Sequence, residues 1–186
     1  MKHVANIAAF LASVFIISCI QPDASHDGHT AEEANPNTGS TAQVSQETAP
    51  QAVTIKDDRL DAVYQQYIRL TDALVKEDIT NARIAGNAIQ AGAKETAATA
   101  SLKASAEKIA KAPDIESQRK AYAGMSEELI ALVKKAGVAN GELYVSYCPM
   151  AFDDEGAAWL SVDKKIVNPY FGDKMLTCGE IKETIK

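Results

Sequence analysis

The sequence is poor in the residue types on which most enzymes and nucleic-acid-binding proteins depend. All three of its histidines precede residue 30, so the rest of the chain has no histidine to act as a general base. It contains neither a phosphate-binding glycine loop nor a Cys-x-x-Cys pair. Its 19 basic residues are outnumbered by 25 acidic ones, giving a net charge of −6, whereas nucleic acid requires a basic face. We therefore expect neither an enzyme nor a nucleic-acid-binding protein.

An extended apolar run occurs at the N-terminus. Residues 4–17 are almost wholly apolar and follow a short, weakly basic start, which is typical of an export signal. A membrane-spanning helix needs roughly 20 apolar residues, so this run is too short to span a bilayer comfortably. Ser18 and Cys19 resemble a bacterial lipobox, in which the cysteine receives a lipid. We expect residues 1–18 to be a lipoprotein signal peptide and Cys19 to be the lipidation site. The alternative is an ordinary secretory signal with an incidental Cys19.

The expected consequence of lipidation at Cys19 is a protein anchored to a membrane of the bacterial cell envelope, on its periplasmic or surface side.

Residues 19–54 have no aromatic side chain and are rich in small and polar residues. Such a segment cannot bury enough apolar surface to fold, so we predict a disordered linker. Within it, His26 and His29 flank Asp27 and have the donors of a loose metal site. A solvated pair of histidines is the plainer interpretation.

Residues 55–186 are expected to form a mainly α domain. Apolar residues recur there at the three- and four-residue spacings of amphipathic helices, in four successive segments. Aspartate is a favoured N-cap residue, and a glycine following the last segment is placed to end it. The four segments begin near Asp57, Asp78, Thr96 and Asp114. Because the connections are short, we predict an up-and-down four-helix bundle.

The pattern changes after the turn pair Asn140-Gly141. Residues 142–148 are rich in aromatic and β-branched side chains, and residues 157–161 can form a return strand after a polar turn at 153–156. We therefore expect a small C-terminal β-hairpin followed by a loop. Residues 181–186 are too short a segment for an assignment.

Two sulfur-bearing side chains lie within this hairpin, and two more lie in the loop that follows it. Cys148 and Met150 are two residues apart, which places them on one side of an extended chain. Met175 and Cys178 are three apart, which places them on one side of a helical turn. Thiolates and thioethers together select Cu(I), and by the same chemistry Ag(I), while structural zinc prefers sets of four Cys and His. The four residues are our predicted metal ligands.

The same two cysteines allow other interpretations. If Cys19 is lipidated, an even pair of thiols remains in an oxidising compartment, which favours a Cys148–Cys178 disulfide. The domain would then be a stapled interaction module without metal, presenting exposed aromatics such as Tyr170 and Phe171 to a partner protein. Thiol–disulfide exchange is a third interpretation, and it requires a cysteine with a low pKa.

The C-terminal residues also carry a resemblance to a known family. They are Tyr147-Cys148-Pro149-Met150-Ala151, Gly156, Trp159-Leu160-Ser161, Ile166, Asn168-Pro169-Tyr170-Phe171-Gly172, Met175 and Cys178-Gly179. This pattern resembles the signature of domain-of-unknown-function family 3347, and the resemblance spans residues 57–185.

Members of this family are bacterial envelope proteins, many of them lipoproteins, and the domain also occurs on periplasmic adaptors of heavy-metal efflux systems. The resemblance therefore implies copper or silver handling, with metal-efflux or metallochaperone proteins as partners. By position it assigns Cys148, Met150, Met175 and Cys178 as ligands. This chain lacks the barrel, lipoyl-like and coiled-coil parts of the adaptors, so a tethered, stand-alone Cu(I) binder fits better than an adaptor.

Overall fold

The structure of the protein is a computed structural model that describes residues 52–93 and 99–186. The predicted signal peptide, the lipidation site Cys19, the histidine pair and all but the end of the predicted linker lie outside these residues. Within the described part of the chain, no helix is both long enough and apolar enough to cross a membrane.

The first two helices begin at aspartate N-caps, as predicted. α1 spans Asp58–Val75, and the Asp57 carboxylate accepts hydrogen bonds from the backbone N–H groups of Arg59 and Leu60. α2 spans Ile79–Gly92, and the Asp78 carboxylate accepts from the N–H of Asn81. These bonds satisfy N–H groups that have no partner inside a helix, which is why aspartate marks both starts.

The other two helices complete the bundle. α3 spans Ala100–Lys111, and its predicted start near Thr96 lies outside the described residues. α4 spans Ile115–Ala136, starts at the Asp114 N-cap and ends at Gly137, whose φ of 82° suits glycine. Each helix packs mainly on the next one in sequence, and α1 also contacts α4. The prediction of a mainly α four-helix bundle is confirmed.

Two small antiparallel sheets accompany the bundle. β1 (Thr54–Ile55) pairs with β2 (Val138–Asn140). β3 (Leu143–Cys148) lies between β4 (Ala157–Ser161) and β5 (Glu180–Ile185). The predicted hairpin corresponds to β3 and β4. The sequence did not predict the third strand, because β5 is mostly exposed and is defined by its pairing with β3 rather than by its own pattern.

The turn between β3 and β4 is left-handed. Three consecutive residues of the short helical segment Ala151–Asp154 have positive φ, 55° at Phe152, 56° at Asp153 and 68° at Asp154. Left-handed conformations cost non-glycine residues roughly 1–2 kcal/mol each. The Gly156 N–H donates to the Ala151 carbonyl at 2.9 Å, and the Phe152 ring packs edge-on against Tyr170 at 5.4 Å between ring centroids. These contacts offset part of the strain.

A stack of aromatic rings joins the bundle to the three-stranded sheet. The rings of Tyr67 and Tyr122 stack with centroids 5.2 Å apart, and Tyr122 leads to Tyr170 at 5.6 Å. Trp159 of β4 then meets Tyr170 edge-on at 5.9 Å. All four residues are buried. The stack therefore holds the sheet that carries Cys148 against α1 and α4.

Buried hydroxyls in this stack lead to the first prediction. The Tyr67 hydroxyl accepts from the Leu160 N–H at 3.1 Å and bonds to the hydroxyls of Ser126 and Tyr122, each at 2.8 Å. The Tyr64 hydroxyl is equally buried but has no hydrogen-bond partner among the described residues. We expect Tyr67→Phe to lower the free energy of unfolding by about 2 kcal/mol, since it leaves buried polar groups unpaired.

The matched substitution Tyr64→Phe removes a buried hydroxyl that has no described hydrogen bond, so the free energy of unfolding should not fall and should rise by up to about 1 kcal/mol. Urea unfolding of the two variants and the parent measures both values. Equal losses in the two variants would contradict this account of the hydroxyl network.

Candidate functional site

Cys148 is the last residue of β3 and is fully buried. It lies opposite Ala157 of β4, one residue beyond the pair of Tyr147 and Glu180 at which β5 begins. Pro149 and Met150 then lead from the strand into the left-handed turn. Cys148 is therefore fixed by the sheet and not by a mobile loop.

Cys178 approaches from the loop that precedes β5. Its N–H donates to the Met175 carbonyl at 3.0 Å, which closes a tight turn, and its side chain is partly exposed. The Sγ atoms of Cys148 and Cys178 lie 2.9 Å apart, and both cysteines are free thiols. The structure thus brings together two thiols that are 30 positions apart in sequence.

The contact changes the chemistry of the outer thiol. The pKa of the Cys178 thiol is raised to about 11. The largest cause is its hydrogen bond with Cys148, the second is desolvation by burial, and the third is the charge of a Cys148 thiolate. A thiol with a raised pKa holds its proton at neutral pH and is a poor nucleophile. This direction disfavours thiol–disulfide exchange started by Cys178, since exchange requires a reactive thiolate.

The two predicted methionine ligands lie on the segments that carry the thiols. Met150 follows Cys148 by two residues and is 49% exposed. Met175 is partly buried and shares the tight turn of Cys178. In the described ranges, no cluster of three or more His, Cys, Asp or Glu residues could hold a metal ion. A metal site built on the thiol pair would therefore need methionine sulfur or an external ligand to exceed two ligands.

Asn168, which the sequence did not single out as a functional residue, anchors the loop that carries Cys178. It is fully buried, and its side-chain amide donates to the Cys178 carbonyl at 2.8 Å. Its side-chain oxygen accepts from the Tyr170 N–H at 2.7 Å, and its own N–H donates to the Leu176 carbonyl at 2.8 Å. These three hydrogen bonds thus join residues of the same loop to one another next to Cys178.

Arg119 of α4 ties the same loop to the bundle. Its guanidinium is 1% exposed and donates through Nε to the Pro169 carbonyl at 2.9 Å. Its Nη2 donates to the Leu74 carbonyl at 3.2 Å and to Glu77 at 3.1 Å, while Nη1 donates to Glu116 at 3.0 Å. A basic residue on a helix gives no sequence signal for this role, because its loop partner is about 50 positions away.

Two aromatic predictions are decided by burial. The interpretation of the domain as an interaction module requires an exposed Tyr170, and this is wrong, because its side chain is only 4% exposed and its hydroxyl donates to the Ala158 carbonyl at 2.6 Å. Phe171 is partly buried against the core.

Trp159 is buried, and a Cβ added to Gly179 would lie 2.9 Å from its ring. Gly179 (φ 142°) therefore allows the chain to pass close to Trp159 immediately after Cys178.

Comparison with known proteins identifies the helical part. Residues 63–141 match the profile of a family described as a protein of unknown function, DUF3347. The chain carries a DUF3347 domain. The family indicated by the C-terminal residues is thus confirmed, although the matched DUF3347 region ends before either cysteine. No curated protein and no solved structure matches the chain.

Proposed function

We propose that this DUF3347 protein binds Cu(I) as cargo through Cys148 and Cys178, for sequestration or transfer in heavy-metal homeostasis. The observation that carries the proposal is the contact between the two sulfur atoms, 2.9 Å apart. One thiol is buried in the sheet and the other is partly exposed, so an ion can reach the pair from the side of Cys178. Binding would displace thiol protons, because thiolates are the metal ligands.

The donor set fits a soft monovalent ion better than zinc. Thiolate and thioether sulfur select Cu(I), whereas structural zinc is held by four Cys and His ligands. Histidine is absent from the described residues, and the cysteines there number two. We propose Met150 and Met175 as the thioether ligands, because they flank the two thiols in sequence.

The proposed setting is the bacterial cell envelope. The apolar run before Cys19 supports a lipid anchor at that residue, on the periplasmic or surface side of a membrane. Metal-efflux or metallochaperone proteins are the partners that such a binder would serve.

Competition titration tests the proposal. The sample is the full-length chain carrying Cys19→Ser, in which Cys148 and Cys178 are the remaining thiols, kept reduced and titrated with Cu(I) against a chelator. We expect one ion to bind with a Kd below about 1 μM, and we expect Cys148→Ser or Cys178→Ser to weaken binding by about a hundredfold or more, roughly 2.7 kcal/mol.

Methionine variants provide the matched control. Met150→Leu and Met175→Leu should weaken binding about tenfold if their sulfurs are ligands. Met125→Leu should leave it unchanged, because Met125 is buried in the core within α4. Binding weaker than micromolar, or binding that persists unchanged in the double serine variant, would contradict the proposal.

A stapled interaction module is the second candidate, and the same sulfur contact supports it. Two thiols this close need little backbone movement to form a disulfide in an oxidising compartment. Counting free thiols on protein isolated from the envelope separates the candidates. A fully oxidised pair that resists physiological reductants favours the staple, and a reduced pair favours the metal site.

A further inference from the structure

The residues that place Cys178 are not part of the regular secondary structure. Between β4 and β5 the chain runs from Val162 to Gly179, and one 3-10 turn, Gly172–Lys174, interrupts it. Loops of this kind sample many conformations unless specific bonds hold them. Cys148, in contrast, is paired with Ala157 of β4, and the residue before it, Tyr147, is paired with Glu180 of β5. The geometry of the pair therefore depends on what orders the loop.

We propose that Asn168 is the positioning residue that holds Cys178 opposite Cys148. This inference rests on the proposed function, since it concerns the same two thiols. Asn168 is fully buried among the residues of the loop, and its side chain makes one bond at each end. One end donates to the Cys178 carbonyl at 2.8 Å, and the other accepts from the Tyr170 N–H at 2.7 Å.

The two bonds require a side chain that both donates and accepts. Tyr170 is itself fixed, because its ring packs against Trp159 and its hydroxyl bonds to the Ala158 carbonyl. Asn168 therefore connects the backbone of Cys178 to that of Tyr170, whose side chain is buried and hydrogen-bonded. Ordering the loop before the thiols react raises the effective concentration of one thiol at the other, because less conformational entropy is lost on pairing.

Two substitutions separate this role from a general effect on folding. Asn168→Asp keeps an oxygen that can accept from the Tyr170 N–H, but it places a carboxylate against the Cys178 carbonyl in place of a donor. Asn168→Ala removes both bonds. If the bond to Cys178 sets the thiol geometry, both variants must disturb the pair, and the aspartate variant must do so while the bond to Tyr170 is retained.

The readout is the redox equilibrium of the Cys148–Cys178 pair in the full-length chain carrying Cys19→Ser. In glutathione buffers, two glutathione thiols reduce the protein disulfide to two cysteine thiols and form one glutathione disulfide. We expect both Asn168 variants to lower the effective thiol concentration about tenfold, which moves the reduction potential up by about 30 mV for a two-electron couple.

Asn140→Ala is the control. Asn140 also donates its side-chain amide to a backbone carbonyl, that of Ala52 at 2.7 Å, but it lies on β2, which pairs with β1 and not with the sheet that carries Cys148. The reduction potential of the Cys148–Cys178 pair in Asn140→Ala should equal that of the parent protein. A parental potential in Asn168→Ala would overturn the inference, because alanine can make neither bond. If Asn168→Ala does not fold, Asn168→Asp decides the question at a pH at which its carboxyl is ionised and has no proton to donate to the Cys178 carbonyl.

The test is independent of copper. If the parent binds no Cu(I) but the potentials shift as expected, the positioning role stands and the proposed function fails. If Cu(I) binds tightly and the Asn168 variants keep the parental potential, the proposed function stands and the positioning role fails.

Discussion

Arg119→Ala is expected to lower the free energy of unfolding by about 3 kcal/mol. The guanidinium is buried and donates to the carbonyl groups of Leu74 and Pro169. Without it the Leu74 carbonyl keeps a bond from the Glu77 N–H at 3.3 Å, whereas the Pro169 carbonyl loses its described donor. Leaving buried polar groups unpaired costs roughly 1–3 kcal/mol for each group, and the lost packing of a long side chain adds to this. The glutamate partners, Glu77 and Glu116, are about half or more exposed, so water can replace the arginine there. The loss should therefore come mainly from the Pro169 carbonyl and from the lost packing of the side chain.

Arg69→Ala is the matched control, because Arg69 is exposed on α1. Its substitution should change the free energy of unfolding by less than about 0.5 kcal/mol. Urea unfolding of both variants measures the difference. A loss below about 1 kcal/mol in Arg119→Ala would show that the loop is held by other contacts.

Oxidation of Cys148 and Cys178 to a disulfide is expected to raise the free energy of unfolding by about 3–4 kcal/mol. The bond would close a loop of about 30 residues, and restricting that loop in the unfolded chain accounts for the gain in the chain-entropy treatment. The thiols already touch in the folded state, so the native structure needs little rearrangement. The gain should appear when urea unfolding is compared with and without a reductant.

The double variant Cys148→Ser/Cys178→Ser serves as the control, in which the reductant should have no effect. An oxidised protein no more stable than the reduced one would mean that the bond strains the fold. The two proposed functions predict opposite consequences of this oxidation. A stapled module requires the bond, whereas Cu(I) binding requires its reduction, because thiolates are the ligands.

The features that the sequence predicted correctly are those determined by near neighbours in the chain. Asp57, Asp78 and Asp114 begin helices because each side chain bonds N–H groups two or three residues away. The hairpin of β3 and β4 likewise follows from alternating residues and a polar turn. Local bonding needs no knowledge of the rest of the fold, so the pattern is sufficient.

The features that the sequence could not predict depend on distant contacts. β5 is a strand because β3 accepts it as an edge partner, and the left-handed turn after Cys148 persists because Phe152 packs on Tyr170. Tyr170 looked like an exposed loop residue and is instead buried in the aromatic stack. Tertiary packing overrides local propensity at such positions.

The candidate site shows the same division. Spacing alone singled out Cys148 and Cys178, and the structure brings their sulfur atoms together. Arg119 and Asn168 were missed, because one acts from a helix and the other through backbone groups in a loop without regular structure. The ligand roles of Met150 and Met175 stay a prediction.

The Cu K-edge X-ray absorption spectrum of the copper-loaded, reduced chain carrying Cys19→Ser tests the central claim most directly. The account predicts Cu(I) with sulfur as its only near neighbours, and it predicts that this spectrum is lost in Cys148→Ser/Cys178→Ser. A spectrum dominated by nitrogen or oxygen neighbours, or one unchanged in the double serine variant, would contradict the account.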